Sequence, residues 1–180
     1  LQRQTLYSES DVGKPKAMAA TARLQAVNSS IAIDSAAVDL NASNIRQHLD
    51  GCDVIVDGLD NFETRYLLND YAVANLIPYV YGGAVSTEGL SFLVLPPGAE
   101  GKHPAWTTPT SCLRCLFPEP PTAGTIPTCD TAGVLAPVVM MIAAHEVMQT
   151  LKILVGRYDE LDRSLMSIDA WNNQTRRLMP

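Results

Sequence analysis

Four cysteines in 180 residues are too few for the disulfide framework of a small secreted protein. No apolar run reaches the length of a membrane span. The uninterrupted part of the most apolar stretch, 132–144, covers 13 residues and contains Pro137, whereas a spanning helix needs about 20. Basic charge is not in excess either: 13 Lys and Arg against 19 Asp and Glu leave a net charge of −6. That balance excludes a nucleic-acid binder working through a general basic surface, but not a nucleotide enzyme, which needs only a few local cations. No charged, apolar and small-residue leader follows Leu1, so no signal peptide is expected and the expected compartment is the cytoplasm. Internal repeats and low-complexity tracts are absent. What remains is 47% apolar and 18% charged residues, ample for one packed domain of this length.

The order of elements reads as α/β. Residues 11–28 carry the helical apolar spacing of Ala17, Met18, Ala20, Leu24 and Val27, with Gly13 and Pro15 at the entry. An alternating stretch at 31–40 predicts a strand, and 45–48 a short helix. The β-branched run 53–57 predicts a strand buried on both faces of a parallel sheet, and 61–75 a helix. Residues 78–85 predict another buried strand, with 89–95 as its hairpin partner. A long helix should run from about 132 to 155, and strand-like runs at 164–170 and 174–179 close the chain. Strand–helix alternation implies a mostly parallel, Rossmann-like sheet with helices on both faces, plus an antiparallel C-terminal extension. Between them, 96–131 holds eight of the twelve prolines and no hydrophobic period, an irregular loop of the kind that is functional or stapled.

Several residues in this frame could carry chemistry. Asp57-Gly58-Leu59-Asp60-Asn61 ends a buried strand before a helix, the edge where open α/β sheets bind ligands. A carboxylate there can hold Mg²⁺, which takes hard oxygen ligands; equally, Asp60 or Asn61 can cap the helix. Arg3, in Leu1-Gln2-Arg3-Gln4, and Lys16 could neutralise phosphate oxygens near helix starts, or lie on solvated surface. Cys112 and Cys115 have the spacing of half a four-cysteine zinc site or of a redox pair. Cys52 reads as a small core residue. Cys129, directly before the long helix, is either a thiol activated by the helix N-terminus or an inert cysteine at a helix start, with Thr128, Asp130 or Thr131 as the cap.

Taken together, these segments resemble the HesA/MoeB/ThiF family, the ubiquitin-activating-enzyme-like adenylyltransferases. The resemblance rests on Leu1-Gln2-Arg3-Gln4, Val12-Gly13-Lys14-Pro15-Lys16, Asp57 to Asn61 with Arg65, Gly82-Gly83-Ala84, Cys112-Leu113-Arg114-Cys115, and Thr128-Cys129-Asp130-Thr131-Ala132-Gly133 with the Val134-Leu135-Ala136-Pro137 that follows. Each motif is weak singly; their order and spacing across the whole chain are specific. The resemblance implies adenylation by Mg·ATP of the C-terminal Gly-Gly carboxylate of a ubiquitin-like sulfur carrier (MoaD- or ThiS-like), in molybdenum cofactor or thiamine biosynthesis, by a homodimer without nucleic-acid or membrane partners. By resemblance, Arg3 and Lys16 would contact the ATP phosphates, Gln2 would belong to the ATP site, Asp60 would hold Mg²⁺ and Asn61 would line the nucleotide site. Cys112 and Cys115 would be half of a structural Zn²⁺ site, and Cys129 matches the cysteine that some members use for a persulfide linkage.

Two departures set further expectations. The family's Gly-rich phosphate loop, with its first strand and helix, lies upstream of the Leu-Gln-Arg-Gln motif, and its second zinc pair lies downstream of the terminal strands. Residues 1–180 therefore read as a single adenylation domain truncated at both ends, which alone should bind ATP weakly. Rival readings are a nicotinamide-dependent oxidoreductase, which shares the sheet pattern, and a non-catalytic homologue serving as a dimerising scaffold.

Overall fold

The structure, a computed structural model, describes residues 2–98, 108–121 and 129–179, without the side chains of Cys129 and Asp130. Leu1, the Thr128 cap and much of the proline-rich segment lie outside the described residues. Packing divides the chain into two compact units, Leu1–Leu40 and Asn41–Pro180.

The first unit is built on α1 (Lys16–Val27), preceded by a 3₁₀ turn at Glu9–Asp11. Asp11 accepts from the Ser8 backbone N–H at 3.0 Å and from its hydroxyl at 2.9 Å, a reciprocal cap that closes the turn. The helix starts at Lys16 and not near residue 11 because Gly13 takes φ +87°, open only to glycine without strain. Pro15 then stands at the N-cap, where its missing N–H costs nothing. The strand expected at 31–40 is not formed: these residues enter no ladder, and Ile31 and Val38 are exposed. Alternation alone cannot make a strand; unpaired N–H and C=O groups need a neighbour.

The second unit holds a five-stranded sheet in the order β1-β2-β3-β4-β5, with strands at Ile55–Val56, Tyr79–Val85, Glu88–Val94, Leu165–Asp169 and Gln174–Leu178. Among the strand pairs of the described residues only β1–β2 is parallel, joined by the helical crossover α3 (Phe62–Asn75); the other three pairs are antiparallel. The sheet is thus mixed, not mostly parallel: no strand forms at 31–40, the short connections after β2 and β4 permit only antiparallel return, and β4 also runs antiparallel to β3 after the long segment between them. β1 is also shorter than the run 53–57 and is buried on one face only, since Val56 is exposed. The remaining helices are α2 (Ile45–Leu49), α4 (Leu113–Leu116), α5 (Cys129–Ala132) and α6 (Ala136–Leu154).

Helices cover both faces of β2. On the Val80/Gly82 face lies α6, whose buried stripe Val138, Ile142, Glu146, Gln149 and Ile153 follows helical spacing. Its approach depends on two glycines: a Cβ at Gly82 would fall 2.3 Å from the Glu146 carboxyl carbon, and one at Gly89 would fall 2.5 Å from Ile142 Cγ1. Val80, Leu93, Leu95, Ile153 and Leu161 form the core there. By length and composition alone α6 could cross a membrane; here one stripe packs on the sheet, while Met140, Met141, Val147, Met148, Leu151 and Leu154 on the rest of the helix are exposed. The helix begins at Ala136 because Gly133, at φ +72°, breaks the expected continuation from 132. Ser86, in the β2–β3 turn, fixes that break by donating to the Gly133 carbonyl at 2.8 Å and accepting from the Leu135 N–H at 2.9 Å.

Candidate active site

The opposite face of β2 carries Tyr79, Tyr81 and Gly83, and over it sits the first turn of α3. Helix α3 starts where it does because the Asn61 side chain accepts from the Thr64 N–H at 2.8 Å, a regular N-cap. Of the two residues that could cap, Asn61 does so. Asp60 is left exposed, with no hydrogen bond or ion pair among the described residues, and it lines a cavity of about 340 Å³.

The loop that carries Asp60 is clamped from both ends. Asp57, at the end of β1, accepts from the Leu59 N–H at 2.7 Å and from the Tyr79 hydroxyl at 2.6 Å. Arg65 donates from Nη2 to the Leu59 carbonyl at 2.6 Å and the Gly82 carbonyl at 2.7 Å, and from Nη1 to the Tyr81 hydroxyl at 3.0 Å. Its Nε stands 3.1 Å from Asp57 Oδ2 as an ion pair without hydrogen-bond alignment. Its guanidinium also lies 4.7 Å from the Tyr81 ring centroid, and that ring stacks on Phe92 at 4.5 Å. Burial pushes the Asp57 carboxyl upward, opposed by the Arg65 charge and the two hydrogen bonds. Burial and the Asp57 carboxyl push Tyr79 up as well, so its phenol remains the donor.

One further buried acid belongs to this neighbourhood. Glu146 reaches Gly82 from the α6 side, and its Oε1 has no partner among the described residues. Burial, reinforced by Asp57, pushes it up to about 8, so it carries its proton near neutral pH. Sequence reading missed Glu146, although its place in the buried α6 stripe was a usable signal. It also missed the clamp, which joins residues from a strand end, a helix and the next strand.

Cys112 stands at the N-cap of the short α4 and Cys115 lies within it, and their sulfurs are 3.6 Å apart. Two thiolates of a tetrahedral zinc site, with Zn–S of about 2.3 Å, stand about 3.8 Å apart, so the pair fits half of such a site. Among the described residues no group of three or more His, Cys, Asp or Glu is placed to hold a metal. The turn is docked on α3: the Leu113 N–H donates to Asn69 Oδ1 at 2.8 Å, and Arg114 makes a two-point pair with Asp70 at 2.7 Å for each contact. The Tyr66 hydroxyl donates to the Phe117 carbonyl at 2.7 Å. Cys52 is exposed, not the core residue its sequence position implied, because it precedes the short β1. Cys129 begins α5, a separate four-residue helix, and does not immediately precede α6. Its side chain lies outside the described residues.

In the first unit Lys16 is the first residue of α1 and lines a cavity of about 270 Å³ together with Gln4, Tyr7 and Asp11. Arg3 is half-buried in a bend and does not line that cavity, and Gln2 is exposed.

A strand end, a clamped acidic loop and a capped helix thus frame a cavity over the sheet of an α/β protein. The sequence model of the ThiF family matches residues 1–180, and the chain belongs to that family. It is 42% identical over 176 residues to the sulfur carrier protein ThiS adenylyltransferase of Bacillus subtilis (strain 168), covering 97% of this chain and 48% of that protein. To the SAMP-activating enzyme E1 of Haloferax volcanii it is 36% identical over 170 residues, 94% of this chain and 58% of the relative. The chain thus spans about half the length of these curated relatives. Among solved structures, that of E. coli MccB with ATP superimposes with a TM-score of 0.75 at 22% identity, covering 99% of this chain and 52% of the other. That likeness establishes the shared α/β fold.

Proposed function

We propose that this chain is the adenylating part of an enzyme that activates a ubiquitin-like sulfur carrier, transferring AMP from ATP to the carrier's C-terminal glycine carboxylate with release of pyrophosphate. The observation that carries the reading is Asp60: an exposed carboxylate lining the pocket, on a loop held by the Asp57–Arg65 clamp. The relatives' names support the same activity, since one acts on the sulfur carrier ThiS and another activates SAMP. Family membership favours adenylation over a nicotinamide-dependent oxidoreductase.

In this reading Asp60 is the ligand for Mg²⁺, which when bound supplies charge neutralisation for the phosphates. Gln2 belongs to the ATP site, while Arg3 and Lys16 contact phosphate oxygens and offset the charge that grows as the carboxylate attacks the α-phosphate. Asn61 spends its carbonyl oxygen on the helix cap and keeps its amide group for the nucleotide. The role of Asp57, Tyr79 and Arg65 is to hold the loop still, so that Asp60 needs no reorganisation. Cys112 and Cys115 are half of a structural zinc site, and Cys129 is the thiol available for a persulfide linkage. The enzyme works as a cytoplasmic homodimer, in molybdenum cofactor or thiamine biosynthesis.

The test is ATP–pyrophosphate exchange by the enzyme as its gene encodes it. Exchange that requires a carrier ending in Gly-Gly supports the reading; exchange that ignores the carrier, or NADH oxidation in its place, overturns it.

A further inference from the structure

Arg65 completes an edge that β1 leaves open. Pairing between β1 and β2 ends with the Asp57 N–H donating to the Val80 carbonyl at 3.0 Å. The Gly82 carbonyl, two residues on, points to the same edge. There Arg65 Nη2 donates to it at 2.7 Å and to the Leu59 carbonyl at 2.6 Å. One nitrogen thus ties the Asp60 loop to the Gly82 backbone, so a shift of Gly82 is a shift of the loop. On the other face, Gly82 meets the Glu146 carboxyl, which fills the place a Cβ would take. Glu146 is 6% exposed, and its Oε1 has no partner among the described residues. A neutral carboxyl tolerates that place with one hydrogen bond unmade. A carboxylate does not: burial and the Asp57 charge across the glycine oppose it more than the Arg65 charge favours it.

The groups around Glu146 titrate elsewhere. His145, beside it on α6, has Nδ1 at 3.0 Å from the Ser91 hydroxyl of β3 and Nε2 at 3.6 Å from Asp162, which pairs with Arg177 of β5. Burial, then the Arg177 and Lys152 charges, hold His145 below its ordinary value, so it is neutral where Glu146 titrates. Tyr81 of β2 is pushed up by burial, Glu88 of β3 is exposed, and Asn172 holds Asp169 of β4 low. At the far end of α6, Lys152 donates to the Glu160 carbonyl at 2.7 Å.

We propose that Glu146 is a positioning residue for adenylation: as a neutral acid it wedges Gly82 against Arg65 and so holds the Asp60 loop, and on losing its proton it releases that loop. The inference rests on the adenylation reading and gives the activity an alkaline limb. Once ionised, Glu146 competes with Asp57 for the one guanidinium, or draws water between α6 and β2. Either way the Leu59 carbonyl loses its fixed donor and Asp60 its fixed place.

The experiment measures Mg·ATP binding by calorimetry and carrier-dependent ATP–pyrophosphate exchange at pH 7 and pH 9, for wild type and Glu146→Gln, in the enzyme as its gene encodes it. Glu146, pushed up to about 8, keeps its proton in about one molecule in ten at pH 9. The apparent Kd scales inversely with the competent fraction. From pH 7 to pH 9 the Kd for Mg·ATP should therefore rise about tenfold more in wild type than in Glu146→Gln, and kcat/KM for ATP should fall by the same factor. A smaller folded fraction lowers the stoichiometry and the rate but leaves Kd unmoved, which tells positioning from a merely structural role. Should Glu146→Gln fail to fold, Glu146→Met, equally uncharged, carries the same test. Equal pH dependence of Kd in wild type and variant overturns the inference and leaves the adenylation reading standing, as does a difference in rate with none in Kd. A wild type with no exchange on any Gly-Gly carrier overturns the adenylation reading, and the inference with it.

Discussion

Replacing Arg65 with Met removes the guanidinium facing the buried Asp57 and keeps much of the side chain's bulk. The change deletes hydrogen bonds to the Leu59 and Gly82 carbonyls and the Tyr81 hydroxyl, along with the 3.1 Å ion pair. The dominant cost is the charge left behind, because both side chains are almost fully buried, 8% exposed for Arg65 and 0% for Asp57. Breaking a buried pair by removing one partner costs about 3–5 kcal/mol. For a chain of this size 1 kcal/mol moves the midpoint by roughly 2–4 °C, so Tm should fall by roughly 6–20 °C. Part of the loss is pH-dependent. Without Arg65 the Asp57 carboxyl rises further, the folded state holds its proton longer, and the variant should lose more stability at pH 8 than at pH 5. Urea unfolding followed by far-UV circular dichroism at the two pH values measures both effects. Adding Asp57→Asn to Arg65→Met should recover part of the stability and remove the extra pH slope. A cost below about 1 kcal/mol, or a second substitution that only adds damage, would refute the account of the clamp.

Two further outcomes test the α6 side of the sheet. Glu146, pushed up to about 8 by burial, binds its proton more tightly folded than unfolded, so its contribution is full below the ordinary carboxylate range and is lost as pH rises through about 8. Glu146→Gln should therefore flatten the decline in urea midpoint between pH 5 and 9, and a slope equal to wild type would contradict the assignment. Gly82→Ala places a methyl 2.3 Å from the Glu146 carboxyl carbon and should cost about 1–3 kcal/mol; the double variant with Glu146→Ala should regain most of it by the same measurement.

Much of this architecture is legible in the residues, and the misses have physical causes. Helix α3 is readable because Asn61 supplies its cap and the apolar spacing supplies its face, both local signals. The β2–β3 hairpin is readable because only Ser86 and Thr87 separate the paired ends. The stretch 31–40 carries a strand's alternation yet forms no ladder, since a strand depends on a neighbour that no local pattern reports. The mixed sheet follows from the same case: β1–α3–β2 is a true parallel unit, but without a strand at 31–40 the hairpin and the antiparallel terminal strands outnumber it. Asp60 is visible as an acid at a strand end, whereas its clamp is not, because Arg65 meets Asp57 and Gly82 only after α3 folds back on the sheet. Cys129 shows the limit of a helix-start argument. Gly133, in its left-handed conformation, and the two residues after it separate its short helix from the long one and its macrodipole.

The most direct measurement is carrier-dependent ATP–pyrophosphate exchange for Asp60→Asn beside Asn61→Ala, in the enzyme as its gene encodes it. Asp60 is exposed in the pocket and bears no structural bond among the described residues, so Asp60→Asn should keep wild-type stability while exchange falls by about 100-fold or more. Asn61→Ala should do the reverse in stability, costing about 1 kcal/mol through the lost cap. Asp60→Asn with wild-type exchange at saturating Mg²⁺ would contradict the account.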